Sequence, residues 1–562
     1  MQIFPVSTMA GKRIDRGGGF VGAKKRSDRW LWGLGLLGLL MYFVFSWQDL
    51  FAAQEWKALS REEVVEKAKA NWQEAGIELE GYRINAVMES EPSLDGYLGK
   101  EDLRSEFENQ APATAPSVYW HVTFYAGEMS SGDTRYETYH DLVSGQVFRH
   151  IRPDTDDGKE IGETEALQLA QSALSKLGID RTRLSLLTDE ELMLEEVGDW
   201  ELNSFHFVWE DHQYAVGESR LYYSVNVTDG NVSAVTSYYE VPEAFEQWQS
   251  KQTLFASILT GFSMLGSFLM LVIAFVFLFL LQQKRPHWTT LWLSLLVMVL
   301  YAASNINQWP IIEAQGLAEG GVLGVLIVGA FAIVAVVFVS ILVGAGNYPL
   351  TMTGAMLVRE VKPSLWLSRK DPEWGERLRL AAKRGYLLAF AWMGFQGLFY
   401  FIGERYFGVW YENDLSMSPA NMWVPALFPL MAWFAGISEE IVYRLFGVTF
   451  LKRYLKYSFV ATLLPAMIWA LGHSLYPIYP IYTRFIELTI FGVIIGYCYL
   501  HYGLETVIFA HVIFDTVLMC IPLFLSGEAV QVASGIGFLI LPLLVGYGFS
   551  LIKPKREQLD FA

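Results

Sequence analysis

The chain is 562 residues long, 52% hydrophobic and 15% aromatic, which is too long for one domain and more apolar than an ordinary globular protein. A formal net charge of −17, with no clustered lysines and arginines to form a groove, argues against a nucleic-acid partner. The two cysteines, Cys498 and Cys520, both lie in apolar runs, so neither a disulfide framework nor a thiolate zinc site is indicated, and any metal would be held by histidine and carboxylate.

Residues 1–30 place Lys12, Arg13, Arg16, Lys24, Lys25, Arg26 and Arg29 among glycines and read as a basic cytoplasmic tail. The apolar run 31–48 is long enough to be a first transmembrane helix. A signal peptide ending near Ala52 and Ala53 is the rival reading, against which the unusual length of the basic leader speaks.

Residues 50–250 are acidic, polar and without a spanning run. Ser60 and Glu63 form a capping box that opens an amphipathic helix running to Gly76, and Glu163 to Gly178 repeats that pattern. After each helix comes an alternating strand-like run, 118–125 and then 204–209, and after each run a hairpin signal, 139–147 and then 225–232, where Gly145 and Gly230 supply the turn. Two similar α+β units are predicted, inserted after the first span on the extracytoplasmic side. Their plan resembles PepSY-type domains, small modules often associated with secreted or membrane peptidases. Nothing in the region looks catalytic, so it is expected to be dispensable for the chemistry.

From Leu254 onward long apolar runs alternate with short polar breaks. Spans are predicted near 254–282, 288–306, 320–345, 386–403, 421–448, 458–475, 483–501, 505–525 and 532–552, about ten with the first. Every second break is basic: Lys284-Arg285, the stretch 359–384, Lys452-Arg453-Lys456, and Lys553-Lys555-Arg556. That alternation puts these loops, both termini and the 553–562 tail in the cytoplasm. The long break at 359–384 is read as a surface amphipathic helix or a solvated connector, closing a 254–379 segment of additional spans.

The residues 380–552 carry the chemistry. Glu439 and Glu440 are adjacent carboxylates within membrane-like sequence, where an ionisable group is costly unless it faces a polar cavity. On a helix Glu440 pairs with Arg444 four residues on, while Glu439, rotated by roughly 100°, points elsewhere. His473 follows Trp469 by four, and Asp515 follows His511 by four, each pair sharing a helix face. Any one of these alone reads as a self-neutralised pair or a satisfied core histidine. Their co-occurrence outlines a buried hydrolytic site, in which a glutamate with two histidines either activates water or ligates a metal ion.

Glu439-Glu440-x-x-x-Arg444, Trp469-x-x-x-His473 and His511-x-x-x-Asp515 together resemble the motif set of the CAAX prenyl protease and bacteriocin-processing family of intramembrane endopeptidases. Two positions depart from it: Trp469 where phenylalanine is frequent, and Asp515 where asparagine is common, whose amide could donate to an oxyanion as an ionised Asp cannot. The resemblance implies an endopeptidase acting on a peptide or protein substrate from within the lipid bilayer, with Glu439 as general base, His473 assisting, Glu440 and Arg444 fixing geometry, and His511 with Asp515 serving the oxyanion; the lack of any eukaryotic targeting signal favours a bacterial cell membrane. The alternative in the same class is a metal-dependent protease with Glu439, His473 and His511 as ligands to a divalent ion such as zinc. Outside that class stand a non-catalytic sensor or immunity protein and a proton-coupled transporter, for which no inverted repeat is visible. The site is expected to open toward the cytoplasmic half, with His473 requiring a tilted or broken helix near Pro465 and Gly472. The fold class is therefore a polytopic α-helical membrane protein with an α+β extracytoplasmic domain.

Overall fold

A computed structural model of the chain describes residues 28–52, 58–126, 135–153, 159–187, 204–280, 288–367, 371–412 and 414–553. The basic tail to residue 27, the Lys284-Arg285 break and the last nine residues fall outside these. Among the described residues nine helices are long and apolar enough to cross a membrane, and a shorter apolar helix, Ser458–Leu471, lies among them. With the separate α+β body, this is the fold class read from the sequence.

The first helix, α1 (Arg29–Ala52), is followed by the sheet domain. Here α2 (Arg61–Glu74) opens with Ser60 and Glu63 reciprocally bonded as a capping box, and packs on β1 (Arg83–Ser90). Two short helices, α3 (Pro92–Lys100) and α4 (Arg104–Gln110), precede β2 (Val118–Tyr125), β3 (Arg135–Asp141) and β4 (Val147–Ile151). The second unit runs α5 (Glu163–Lys176), β5 (Leu184–Leu186), β6 (Ser204–Val216), β7 (Ser219–Thr228) and β8 (Asn231–Glu240). All eight strands form one antiparallel sheet in the order β1-β2-β3-β4-β8-β7-β6-β5. The two units are thus meanders of one plan joined through their last strands, where His150 and Ile151 pair with Val235 and Ala234. Each unit buries its own core: Val64, Ala68 and Trp72 of α2 against Trp120, Val122 and Phe124, and Ala166, Ala170 and Leu174 of α5 against Leu221, Val225 and Val235.

Strand β8 leads directly into α6 (Glu243–Leu280), which starts earlier than the span predicted at 254 because its first turns form a polar stem beneath the sheet. Next come α7 (Trp288–Ile306) and α8 (Trp309–Val361), whose axis breaks at Gly320 and Gly321; Gly321 has φ 56°. The stretch 359–384 is not one surface helix: α8 continues to Val361, one turn of 3-10 helix covers Pro363–Leu365, and α9 (Trp374–Phe407) starts the next span, so only a short connector between Val361 and Trp374 remains, of which residues 368–370 lie outside the described residues. Helical propensity continues through the basic residues because their charged ends reach water while their stems cover apolar surface.

After α9 come β9 (Trp410–Tyr411), three 3-10 turns between Leu415 and Leu427, and α10 (Leu430–Glu439). A π-helical stretch, Glu440–Val448, continues α10 into α11 (Thr449–Tyr454). Then follow α12 (Ser458–Leu471), β10 (Ile478–Tyr479), α13 (Tyr482–Tyr502), α14 (Leu504–Leu525) and α15 (Ala529–Ser550). The bundle core gathers residues of α1 and of α6 to α14, among them Leu31, Trp392, Leu445, Trp469, Phe491 and Phe514.

The basic loops collect on the face opposite the sheet. Arg453 pairs with Glu360, Lys362 bonds the Leu500 carbonyl, and Arg384 holds Asp28 at the foot of α1. The sheet grips the other face. Asn421 bonds both the N–H and the C=O of Met88 on the edge strand β1, and Arg61 donates to the carbonyls of Ala420 and Met422. β9 and β10 pair with each other beneath α3.

Candidate active site

The cluster begins with a close approach of two helices. A Cβ on Gly436 would lie 2.7 Å from Val512 Cγ2 and 2.8 Å from its backbone nitrogen, so only glycine lets α10 press this tightly on α14. One turn beyond Gly436 stands Glu440, and beside Val512 stands His511. The result is a hydrogen bond of 2.8 Å from His511 Nδ1 to Glu440 Oε1.

The same carboxylate oxygen accepts from Arg444 Nη1 at 2.8 Å, and both side chains are almost wholly buried. The pair four residues apart forms even though the sequence predicts an α-helix and the backbone here is π-helical. A wider turn of this kind is frequent where a helix carries function. Arg444 also lies over the indole of Trp469, 4.6 Å from its centroid.

Glu439 is treated differently. Its carboxylate accepts from Trp469 Nε1 at 2.5 Å and lies 3.9 Å from His511 Nε2, with 23% of the side chain exposed where Glu440 has none. One carboxylate is therefore locked and its neighbour is accessible. Asp515, one turn along α14, lies 3.5 Å from the same His511 Nε2, so the ring is held between Glu440 on one side and Glu439 with Asp515 on the other.

His473 reaches the group by another route. Helix α12 ends at Leu471 and Gly472 caps it, so His473 sits in the turn beyond instead of within a tilted span. It bonds the Trp469 carbonyl through Nδ1 at 2.9 Å, with its ring 5.3 Å from the indole. Trp469, placed by the sequence only at a motif position, is the hub: it donates to Glu439, stacks under Arg444, and abuts both His473 and His511.

Sequence reasoning passes over Arg484 and Glu487. They form an ion pair of 2.7 Å on α13, shared with the Tyr400 hydroxyl, and the guanidinium lies over Tyr476, whose ring is 5.5 Å from His473. Two opposite charges three residues apart in an apolar run were the available signal.

Among the described residues no three His, Cys, Asp or Glu side chains are arranged to hold a metal ion. Glu440 holds His511 through Nδ1, and the Nε2 of the ring faces Glu439 and Asp515.

The depth of the cluster can be read along α6. Ser263 bonds the Ile468 carbonyl and is 2.9 Å from where a Gly472 Cβ would stand, and Ser267 bonds the Tyr443 hydroxyl one turn past Glu439. From Leu254, where the apolar run of α6 starts, to Ser263 is about 14 Å of helix, and from Ser263 to Leu280 about 26 Å. Ser267 stands about 20 Å from either end of that run, so the cluster lies between the middle of the bundle and its sheet end. Helix α10 starts only at Leu430, after turns that the sheet holds outside the bundle.

Fold and cluster define a polytopic helical membrane protein with an acid and histidine group inside its bundle. Residues 421–517, which contain all seven motif residues, match the family described as Rce1-like, type II CAAX prenyl endopeptidase Rce1-like, a membrane protease family. An 89-residue stretch is 29% identical to the sporulation-killing factor biosynthesis protein SkfC of Bacillus subtilis (strain 168), covering 16% of this chain and 18% of that protein. No solved structure matches the chain.

Proposed function

We propose that this protein is an intramembrane endopeptidase of a bacterial cell membrane in which Glu439 activates the attacking water. The observation that carries this reading is the division of labour between adjacent carboxylates: Glu440 is fully buried and bound to Arg444 and His511, whereas Glu439 is partly open beside His511 Nε2. A general base must reach a water and must not be neutralised by a permanent cation, and of the two only Glu439 meets both conditions. The Trp469 N–H orients its carboxylate and leaves the second oxygen available.

The remaining roles follow from placement. Glu440 accepts from His511 Nδ1 and so fixes the ring with Nε2 toward the open side, where a protonated Nε2 can donate to the oxyanion of the tetrahedral intermediate. Asp515, acceptor only when ionised, orients that ring and does not itself serve the oxyanion. His473 neighbours Glu439 across Trp469 and can take the proton on toward the leaving amine. The match of 421–517 to a protease family supports the peptide substrate, and the gathering of basic loops opposite the sheet supports an extracytoplasmic sheet domain.

The test is turnover of quenched-fluorescent peptides, prenylated at a CAAX-type end and unprenylated, by purified protein in detergent. Glu439→Gln keeps the shape and removes the base, so activity is expected to fall by about 10²–10⁴ with folding intact. Retention of more than about a tenth of the wild-type rate would contradict the assignment.

A further inference from the structure

The two segments that carry Glu439 and His473 meet outside the bundle in the β9–β10 ribbon. Tyr411 and Trp410 pair with Ile478 and Tyr479; the first strand leads through the 3-10 turns to α10, and the second follows His473 by five residues. Trp410 stacks on Tyr479 at 4.5 Å, and Trp248 of the α6 stem packs on both. Ile481 N bonds Gln252 of the same stem. The ribbon is therefore clamped between the sheet domain and α6.

Glu412, next to the ribbon, is the point where these bodies join. Its N–H bonds the Pro477 carbonyl, and its carboxyl accepts from Gln249 Nε2 at 2.6 Å. The backbone of α3 presses against it, since a Cβ on Gly96 would come within 2.6 Å of its Oε1. The groups that face the carboxyl are Asp95 from α3, Arg104 from α4, Gln249 from α6 and the Tyr479 hydroxyl from β10. Arg104 is already engaged, by Asp95 at 3.1 Å and by the Tyr411 carbonyl. An ionised Glu412 thus adds a second negative charge beside Asp95 where the nearest cation is committed.

We propose that Glu412 is a positioning residue whose protonation state sets how tightly the β9–β10 ribbon is fastened between the sheet domain and the bundle, and through the ribbon how firmly the Glu439 and His473 segments are held. Burial first, and then the charge of Asp95, push this carboxyl up to about 7, against the hydrogen bonds of Gln249 and Tyr479 and the charge of Arg104. A raised carboxyl favours the folded junction fully below the ordinary carboxylate range, and that advantage is lost as pH rises through about 7. The junction is tight in mild acid and loosens in mild alkali. This goes beyond the peptidase reading and does not depend on it.

Hydrogen exchange of the full-length protein in detergent, compared at pH 5.5 and 8.5 after correction for intrinsic rates, tests the inference without any substrate. Peptides covering 408–423 and 474–481 are expected to lose protection by at least about tenfold at the higher pH, while peptides of α13 and α14 change little. Glu412→Gln, neutral at both values, should abolish the difference. Asp95→Asn removes the like charge and should move the midpoint down toward the ordinary carboxylate range, which covers the case where the Gln variant does not fold. Wild-type protection that is flat with pH, or a pH response that survives in Glu412→Gln, overturns the proposal.

Discussion

Replacing Arg444 by alanine should be among the most damaging single changes in the bundle. The guanidinium is 1% exposed, donates to Glu440 Oε1 at 2.8 Å and covers Trp469 at 4.6 Å. Its removal leaves a fully buried carboxylate with His511 as its remaining hydrogen-bond partner. Breaking a buried ion pair from one side costs about 3–5 kcal/mol, and the lost contact with the indole adds roughly 1–2 kcal/mol. Peptidase activity should fall as well, because Trp469 also orients Glu439. A double-mutant cycle separates charge from packing: Arg444→Met with Glu440→Gln keeps much of the volume without either charge, and should recover at least about 2 kcal/mol of the loss. Equilibrium unfolding in mixed detergent, followed by tryptophan fluorescence, reads both numbers. An Arg444→Ala variant within about 0.5 kcal/mol of wild type would refute the buried-pair reasoning and show that water reaches Glu440.

Asn421→Ala strips the edge of β1 of its partner and leaves buried backbone groups of Met88 unpaired, at about 1–3 kcal/mol. Faster exchange confined to β1 and the 412–424 segment is the expected signature, and uniform behaviour across the protein would show that the sheet is not anchored there. In the sheet itself, burial alone would lower His121, but Glu137 and Glu89 on its two ring nitrogens raise it to about 9. Its contribution, at most about 3 kcal/mol, is complete below the unfolded value near 6.5 and lost as pH rises through about 9. Thermal melts between pH 6 and 10 should show that decline, and His121→Gln should flatten it; an unchanged profile in the variant would assign the decline to another group.

Legibility in the sequence followed the physics of each signal. The capping box at Ser60, the two hairpins and the spans rest on local patterns, so they read directly. The pairs Glu440 with Arg444 and His511 with Asp515 rest on spacing within a helix, and form even where α10 gives way to a π-helical stretch, because four residues along still bring side chains to one face. What spacing cannot supply is contact between helices. That Glu440 meets His511, and that Trp469 serves Glu439, depends on Gly436 and on where α12 stops. The joining of two similar units into one sheet through β4 and β8 is equally non-local, since either meander could have stood alone with an open edge.

Residues 50–250 are expected to be dispensable for the chemistry because they lack catalytic side chains, yet a domain contributes to a site through what it holds as well as through what it presents. The turns that enter α10 are bound by Asn421 to β1 and by Arg61 to α2, and are tied again by Asn307, whose side chain bonds both the N–H and the C=O of Val424. The segment that leaves His473 is fastened through β10 to the ribbon beneath α3. These anchors make the residues at the junction of sheet and bundle, before any in the core of the sheet domain, the ones whose substitution should disturb the Glu439 and His473 segments.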